Sequence, residues 1–207
     1  MYIPDKFRVS APGRLHAFVR THPFATLITA SGEIEVSHIP LFLDLGRSQL
    51  RGHVARANPH WRAIGDGAPT LAIFNGPQAY VTPQAYPSKR EHGRVVPTWN
   101  YAVVHVAGQA RAVSDPVWLA ANVNELSDQQ ESAFAHAWAV SDAPDDYIDK
   151  MLGGIVGIEI AIARIEGKFK LSQNRAEPDR AGVIAELKAR HASPEHAMSA
   201  LMEQMPG

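Results

Sequence analysis

The strongest constraint on this chain is a texture. Short apolar, β-branched segments follow one another through most of the sequence, separated by turn signals and not by regularly spaced helices. Phe24-Ala-Thr-Leu-Ile-Thr29 is such a segment, Ser31-Gly32 supplies a turn, and Glu33-Ile-Glu-Val-Ser-His-Ile39 alternates polar and apolar residues, which together spell a hairpin. Gln49 to Ala55, Thr70 to Phe74, Gln78 to Thr82 and Tyr101 to Val113 continue the series, with Gly76-Pro77 dividing two of them. Ile155 to Ile165 closes it. There Ile155, Gly157, Glu159 and Ala161 share one face, and Val156, Ile158, Ile160 and Ile162 share the other.

Helical spacing is confined to a few places. Pro4 to Arg20 reads as a short entry helix. Asn58 and Pro59 read as the N-cap and first residue of a short helix through Trp61 and Ile64. Asp115 to Asp149 holds eight acidic residues and no Lys or Arg, and predicts two helices divided near Asp142-Ala-Pro144. The tail is helical from Pro178, with a second short helix starting at Pro194. Roughly six or seven strands, with helices inserted late, argue for an antiparallel barrel with peripheral helices, an α+β and mainly β fold. Residues 1–207 read as one domain, with a helical insertion around 115–150 and a helical C-terminal tail.

Several function classes fall away on composition and motif. The net charge of -1 gives no global attraction to nucleic acid or anionic lipid. The absence of cysteine removes disulfides, thiolate metal sites and thiol nucleophiles, and suits a cytoplasmic protein. No signal peptide opens the chain, and no apolar run approaches the ~20 residues a membrane span needs, so a soluble, intracellular protein is expected. Gly65-Asp-Gly67 is the nearest approach to a dinucleotide fingerprint and lacks its third glycine. No Walker loop, zincin motif or nucleophile elbow is present.

Four stretches carry chemistry beyond that of plain core or loop. In Ser37-His38-Ile39-Pro40 a proline interrupts a strand pattern, which marks an edge or a bulge where backbone groups can meet a ligand. His53, Arg56 and Asn58 stand just before a helix start, a place suited to a phosphate and equally to a simple strand-to-helix turn. Trp99, Asn100 and Tyr101 set an amide between two flat apolar faces, which suits a heterocycle edged with donors and acceptors or a loop anchored by aromatics. Lys168, Lys170, Ser172, Gln173, Asn174 and Arg175 crowd donors after the last strand, where an anion or a flavin edge could sit, as could an ordinary polar strand end.

Taken with Met1-Tyr2-Ile3-Pro4, Phe74-Asn75-Gly76-Pro77 and Ala79-Tyr80-Val81, these stretches resemble the PaiB-type family of FMN-binding negative transcriptional regulators, in order from residue 1 to about 190. The resemblance implies a split β-barrel like that of pyridoxamine phosphate oxidases and a homodimer with FMN at the subunit interface. It implies that Arg56, with His53 and Asn58 near it, holds the phosphate, and that Ser37, His38 and Ile39 lie beside the isoalloxazine. Trp99, Asn100 and Tyr101 would border the ring, and Lys168 and Gln173 would close the site from the same or the other subunit. The acidic segment carries least of the resemblance. A repressor acting on DNA directly or through a partner is one expectation. An FMN-dependent oxidoreductase, with His38 or His105 as a possible base, is the second, and a partner-binding barrel is the third.

Overall fold

The computed structural model describes residues 1–190 and 193–205. A 3-10 turn (Asp5–Phe7) leads into β1 (Arg8–Val9) and α1 (Pro12–Thr21). The strands β2 (Phe24–Ser31), β3 (Glu33–Pro40), β4 (Phe42–Asp44) and β5 (Gln49–Ala55) follow, then α2 (His60–Ile64), β6 (Ala68–Val81), α3 (Ser88–His92) and β7 (Thr98–Val113). Helices α4 (Pro116–Glu131) and α5 (Asp145–Gly153) precede β8 (Ile155–Lys170), and α6 (Glu177–Ala189) and α7 (Ser193–Gln204) come last. The eight strands form one sheet in the order β3-β2-β6-β7-β8-β5-β4, with β1 on β8.

The hairpin runs from Phe24↔Pro40 to Ser31↔Glu33, closed by Gly32 at φ 90, a conformation that glycine reaches without strain. β2 pairs antiparallel with β6 from Ala25↔Phe74 to Thr29↔Thr70. β5 pairs antiparallel with β8 from Gln49↔Ala161 to Ala55↔Ile155. The fold class is therefore that expected, an α+β chain built on an antiparallel sheet.

The residues gather into two compact units. One comprises His16–Phe74 and His105–Ile165; the other comprises Met1–Leu15, Asn75–Val104 and Glu166–Gly207. In the first, Leu27, Leu50, Phe74, Val106, Ile158 and Ile160 are fully buried. α4 packs on β4 and β5 there, and Trp118 lies on β8, where a Cβ built on Gly157 would collide with its ring. The indole Nε1 donates to Glu159 Oε2 at 3.2 Å, and Arg111 Nε donates to Glu159 Oε1 at 2.6 Å. In the second unit Tyr86, Leu171, Val183, Leu187, Met198 and Met202 are buried, and α6 packs against α7. Among the described residues no helix is long and apolar enough to cross a membrane.

Several elements differ from the sequence reading, among them a short helix α3 and a two-residue β1 that it did not contain. The entry helix begins at Pro12 instead of Pro4, because proline fits the first turn of a helix while the residue before it prefers extended backbone. β4 is three residues long, too short for alternation to show. The two short strands divided by Gly76-Pro77 are a single β6. Pairing with β2 ends at Phe74, so the missing N–H of Pro77 falls where β2 makes no ladder. β8 runs to Lys170, five residues beyond the expected Ile165, so Lys168 and Lys170 lie on the strand and not after it.

Gly157→Ala is expected to destabilise the fold by about 1–3 kcal/mol, because the indole of Trp118 must leave its seat. A urea midpoint unchanged from wild type would show that α4 yields at no cost.

Candidate functional site

In the first unit the expected residues divide by strand alternation. Ser37 and Ile39 are buried, and His38 is exposed between them. His38 Nδ1 lies 3.1 Å from Thr26 Oγ1, and its ring stacks with Phe24 at 6.5 Å. Ser37 Oγ accepts from Asn58 Nδ2 at 3.0 Å and lies 2.9 Å from His60 Nδ1. Asn58 Oδ1 accepts from the His60 backbone N–H at 2.9 Å, so Asn58 acts beside the helix start although the cap position falls to Pro59. His60 is fully buried, and among the described residues its Nε2 has no hydrogen-bond partner. It is a member of this network that the sequence reading passed over, since one histidine in a short helix carries no signal of its own.

Arg56 is exposed but not idle. Its Nε donates to Gly153 O at 2.8 Å, and Nη2 donates to Ile155 O at 2.9 Å. Its backbone N–H reaches Gly154 O at 2.8 Å, and its own carbonyl accepts from Trp61 Nε1 at 3.0 Å. The guanidinium thus fastens the C-terminal end of α5, where carbonyls lack helical partners, and among the described residues Nη1 makes no hydrogen bond. His53 is turned toward α4, with Nδ1 3.4 Å from Asn122 Nδ2.

In the second unit Asn100 is fully buried. Its Nδ2 donates to Ser172 Oγ at 3.0 Å, and Ser172 Oγ donates back to Asn100 Oδ1 at 3.1 Å. Asn100 Nδ2 also lies 3.4 Å from Met202 Sδ. The Gln173 amide is spent on its own turn, with Oε1 accepting from Leu171 N at 2.7 Å and Nε2 donating to Phe169 O at 2.6 Å. The Asn100 amide is thus spent on two side chains and the Gln173 amide on backbone. Trp99 is exposed and edge-on to Tyr80 at 6.0 Å. Lys168 Nζ lies over Tyr101 at 5.3 Å and over Tyr2 at 5.4 Å. Lys170 Nζ donates to Trp99 O at 2.8 Å and touches Thr98 Oγ1. Ser37, Asn58 and His60 are thus brought together in one unit, and Trp99, Tyr101 and Lys168 frame the aromatic face of the other. Lys170 and Arg175 belong with that face. The signal that could have placed Lys170 there is its two-residue spacing from Lys168 along a strand longer than its pattern suggested.

An antiparallel sheet of this order, carrying exposed aromatic faces and arginine and lysine donors, is the architecture of split-barrel flavoproteins. The chain matches the FAD and heme binding protein of Mycobacterium smegmatis with a TM-score of 0.58 at 19% identity, over 84% of this chain and 78% of that one. It matches the flavocytochrome Anf3 of Azotobacter vinelandii at 0.57 and 14%, over 83% and 71%. Residues 1–164 match the family described as "Putative FMN-binding domain". The chain is 32% identical to the protease synthase and sporulation protein PAI 2 of Bacillus subtilis, over 98% of this chain and 97% of that one. An uncharacterised protein of Emericella nidulans is 36% identical over 83% of this chain and 84% of its own length. The chain belongs to the PaiB-type FMN-binding family, and FMN is its cofactor. The residues fit that group. In one unit the Arg56 guanidinium offers a donor for a phosphate; in the other, taken by itself, the half-buried lysines offer donors and the exposed face of Trp99 offers a surface for an aromatic ring.

Burial pushes His53 and His60 below the ordinary imidazole value of 6.5, and for His60 the Glu35 carboxylate partly opposes this. Below that value the unfolded chain binds protons that the folded chain does not. Stability therefore falls as pH drops through 6.5, until the folded imidazoles also titrate. The urea midpoint should be lower at about pH 5.5 than at about pH 7.5, and the difference should shrink in His60→Asn. An undiminished difference in that variant would remove His60 from the explanation.

Proposed function

We propose that the protein is an FMN-binding negative transcriptional regulator of the PaiB type. It is a cytoplasmic homodimer with the flavin at its subunit interface, and it acts through a protein partner and not by gripping DNA itself. The observation that carries the flavin site is Arg56, a guanidinium oriented by two backbone carbonyls with Nη1 left for a phosphate. In this reading Ser37, His38 and Ile39 lie beside the isoalloxazine, and His53 and Asn58 support the phosphate end. Trp99, Asn100 and Tyr101 border the ring through side chain or backbone, while Lys168 and Gln173 close the site. The near full-length likeness to a protein named for protease synthesis and sporulation supports the regulatory role.

The commitment of three of the basic residues after β8 supports action through a partner. Sequence-independent DNA affinity comes from lysines and arginines free to neutralise phosphates. Of those between Arg164 and Arg190, Arg180 donates to Met202 O and Met205 O, and Lys188 pairs with Glu203. Arg190 pairs with Glu186 and Glu195. The same commitment of cations favours a second reading, an FMN-dependent oxidoreductase with no DNA to hold, whose flavin would be bleached by a reduced nicotinamide dinucleotide.

Arg56→Ala should weaken FMN binding by about 1.5–3 kcal/mol in an absorbance titration. A wild-type protein that takes up no flavin at high concentration would overturn the reading of the site. In a low-salt titration DNA should leave the protein unbound. Tight DNA binding would replace the partner by direct repression, and bleaching would favour the oxidoreductase.

A further inference from the structure

Lys168 and Lys170 stand two residues apart on β8 and so share one face of the strand, while Gly167, Phe169 and Leu171 are buried. Arg175 follows the turn after the strand, with its guanidinium 4.8 Å from the Tyr86 ring. All three cations are half-buried. Their partners are aromatic faces, the Thr98 hydroxyl and the Trp99 carbonyl, and among the described residues none of the three has a carboxylate at ion-pair distance. Glu166, the next acid on that strand face, is engaged by the N-terminal ammonium at 3.3 Å.

The three charges feel one another. Burial first, then Lys168 and Arg175, hold the Lys170 ammonium below the usual lysine range. Cations gathered without an acid repel, and a bound anion relieves that repulsion. The segment that carries them is also fixed in place. Ser172 is a non-glycine residue at φ 63, in the left-handed region, and its hydroxyl is locked to the fully buried Asn100. The Gln173 amide bridges Leu171 N and Phe169 O across the same turn. A strained turn held by the buried Asn100 amide and the half-buried Gln173 amide, next to a set of cations, is a pre-organised receptor, and strain of this kind marks functional backbone. Beside it, Trp99 and Tyr2 present exposed flat faces. A multiply charged, multi-acceptor anion joined to an aromatic ring satisfies both halves of this surface.

We propose that Lys168, Lys170 and Arg175 form a phosphate seat for a nucleotide, with the nucleotide's ring on the neighbouring aromatic face of the same unit. The phosphate could be that of FMN or that of a second nucleotide, and FMN, riboflavin and AMP distinguish the two by isothermal calorimetry on the full chain. Wild type should bind AMP. Lys170→Gln and Arg175→Gln should each weaken AMP on the order of tenfold, and the charge-retaining Lys170→Arg should keep most of the affinity. If AMP still binds FMN-saturated protein, and the FMN-to-riboflavin ratio is unchanged in the variants, the seat takes a second nucleotide. If FMN excludes AMP and that ratio collapses in the variants, the seat takes the flavin's own phosphate. No AMP binding and no phosphate preference in wild type overturns the seat, as does a folded Arg175→Gln that binds both ligands like wild type. AMP binding and its loss in the variants do not depend on flavin uptake, which tests the FMN reading separately by absorbance.

Discussion

The sheet is organised by β8. This sixteen-residue strand pairs with β5 over its first seven residues and with β1 at Gly167 and Lys168. Along its first half both faces are specified. Val156, Ile158 and Ile160 are fully buried, and on the alternate face Gly157 receives an indole while Glu159 is gripped by Arg111 and Trp118. A slip of one residue would carry Glu159 to the face of Ile158 and Ile160, and set an isoleucine against the arginine. Further along, the same period of two sends Phe169 inward and Lys168 and Lys170 outward. One geometric rule thus fixes the pairing with β5 and also lines up two cations.

Arginines in this protein serve largely as backbone and carboxylate clamps. Buried Arg51 reaches Asp44 at 3.1 Å and also Glu125 of α4, tying that helix to β4 and β5. Arg56 closes the end of α5, and Arg180 closes the end of α7. The planar, many-donor guanidinium suits this role, since one group can satisfy two acceptors in fixed directions. Charge that looks available in the sequence is therefore already spent at several of these positions. Lys168, Lys170 and Arg175 are different, because aromatic faces, a hydroxyl and a carbonyl hold them without neutralising them.

The strand series, the hairpin at Gly32 and the division of the acidic segment before Asp145 were legible in the sequence, because alternation, turn residues and caps act locally. β4 was not, since three residues carry no period. The unity of β6 was hidden because a proline reads as a break unless the extent of its neighbour is known. The site was legible as residue types more than as roles. Asn100 and Gln173 read as ligand-facing amides, yet their hydrogen bonds go to Ser172 and to the backbone of their own turn. The partners of Asn100 lie 72 and 102 residues away, beyond anything spacing can reveal. His60 joined Ser37 and Asn58 only once the hairpin and the short helix were folded together.

Trp99 is the one tryptophan of its unit; Trp61, Trp118 and Trp138 all belong to the other. Indole emission reports local polarity, and the exposed ring of Trp99 differs in setting from Trp118, which is bonded through Nε1 to a buried carboxylate. Replacing Trp99 with phenylalanine would make the molecule spectroscopically one-sided. Fluorescence would then follow the opening of one unit, and the difference from the unaltered protein would follow the other.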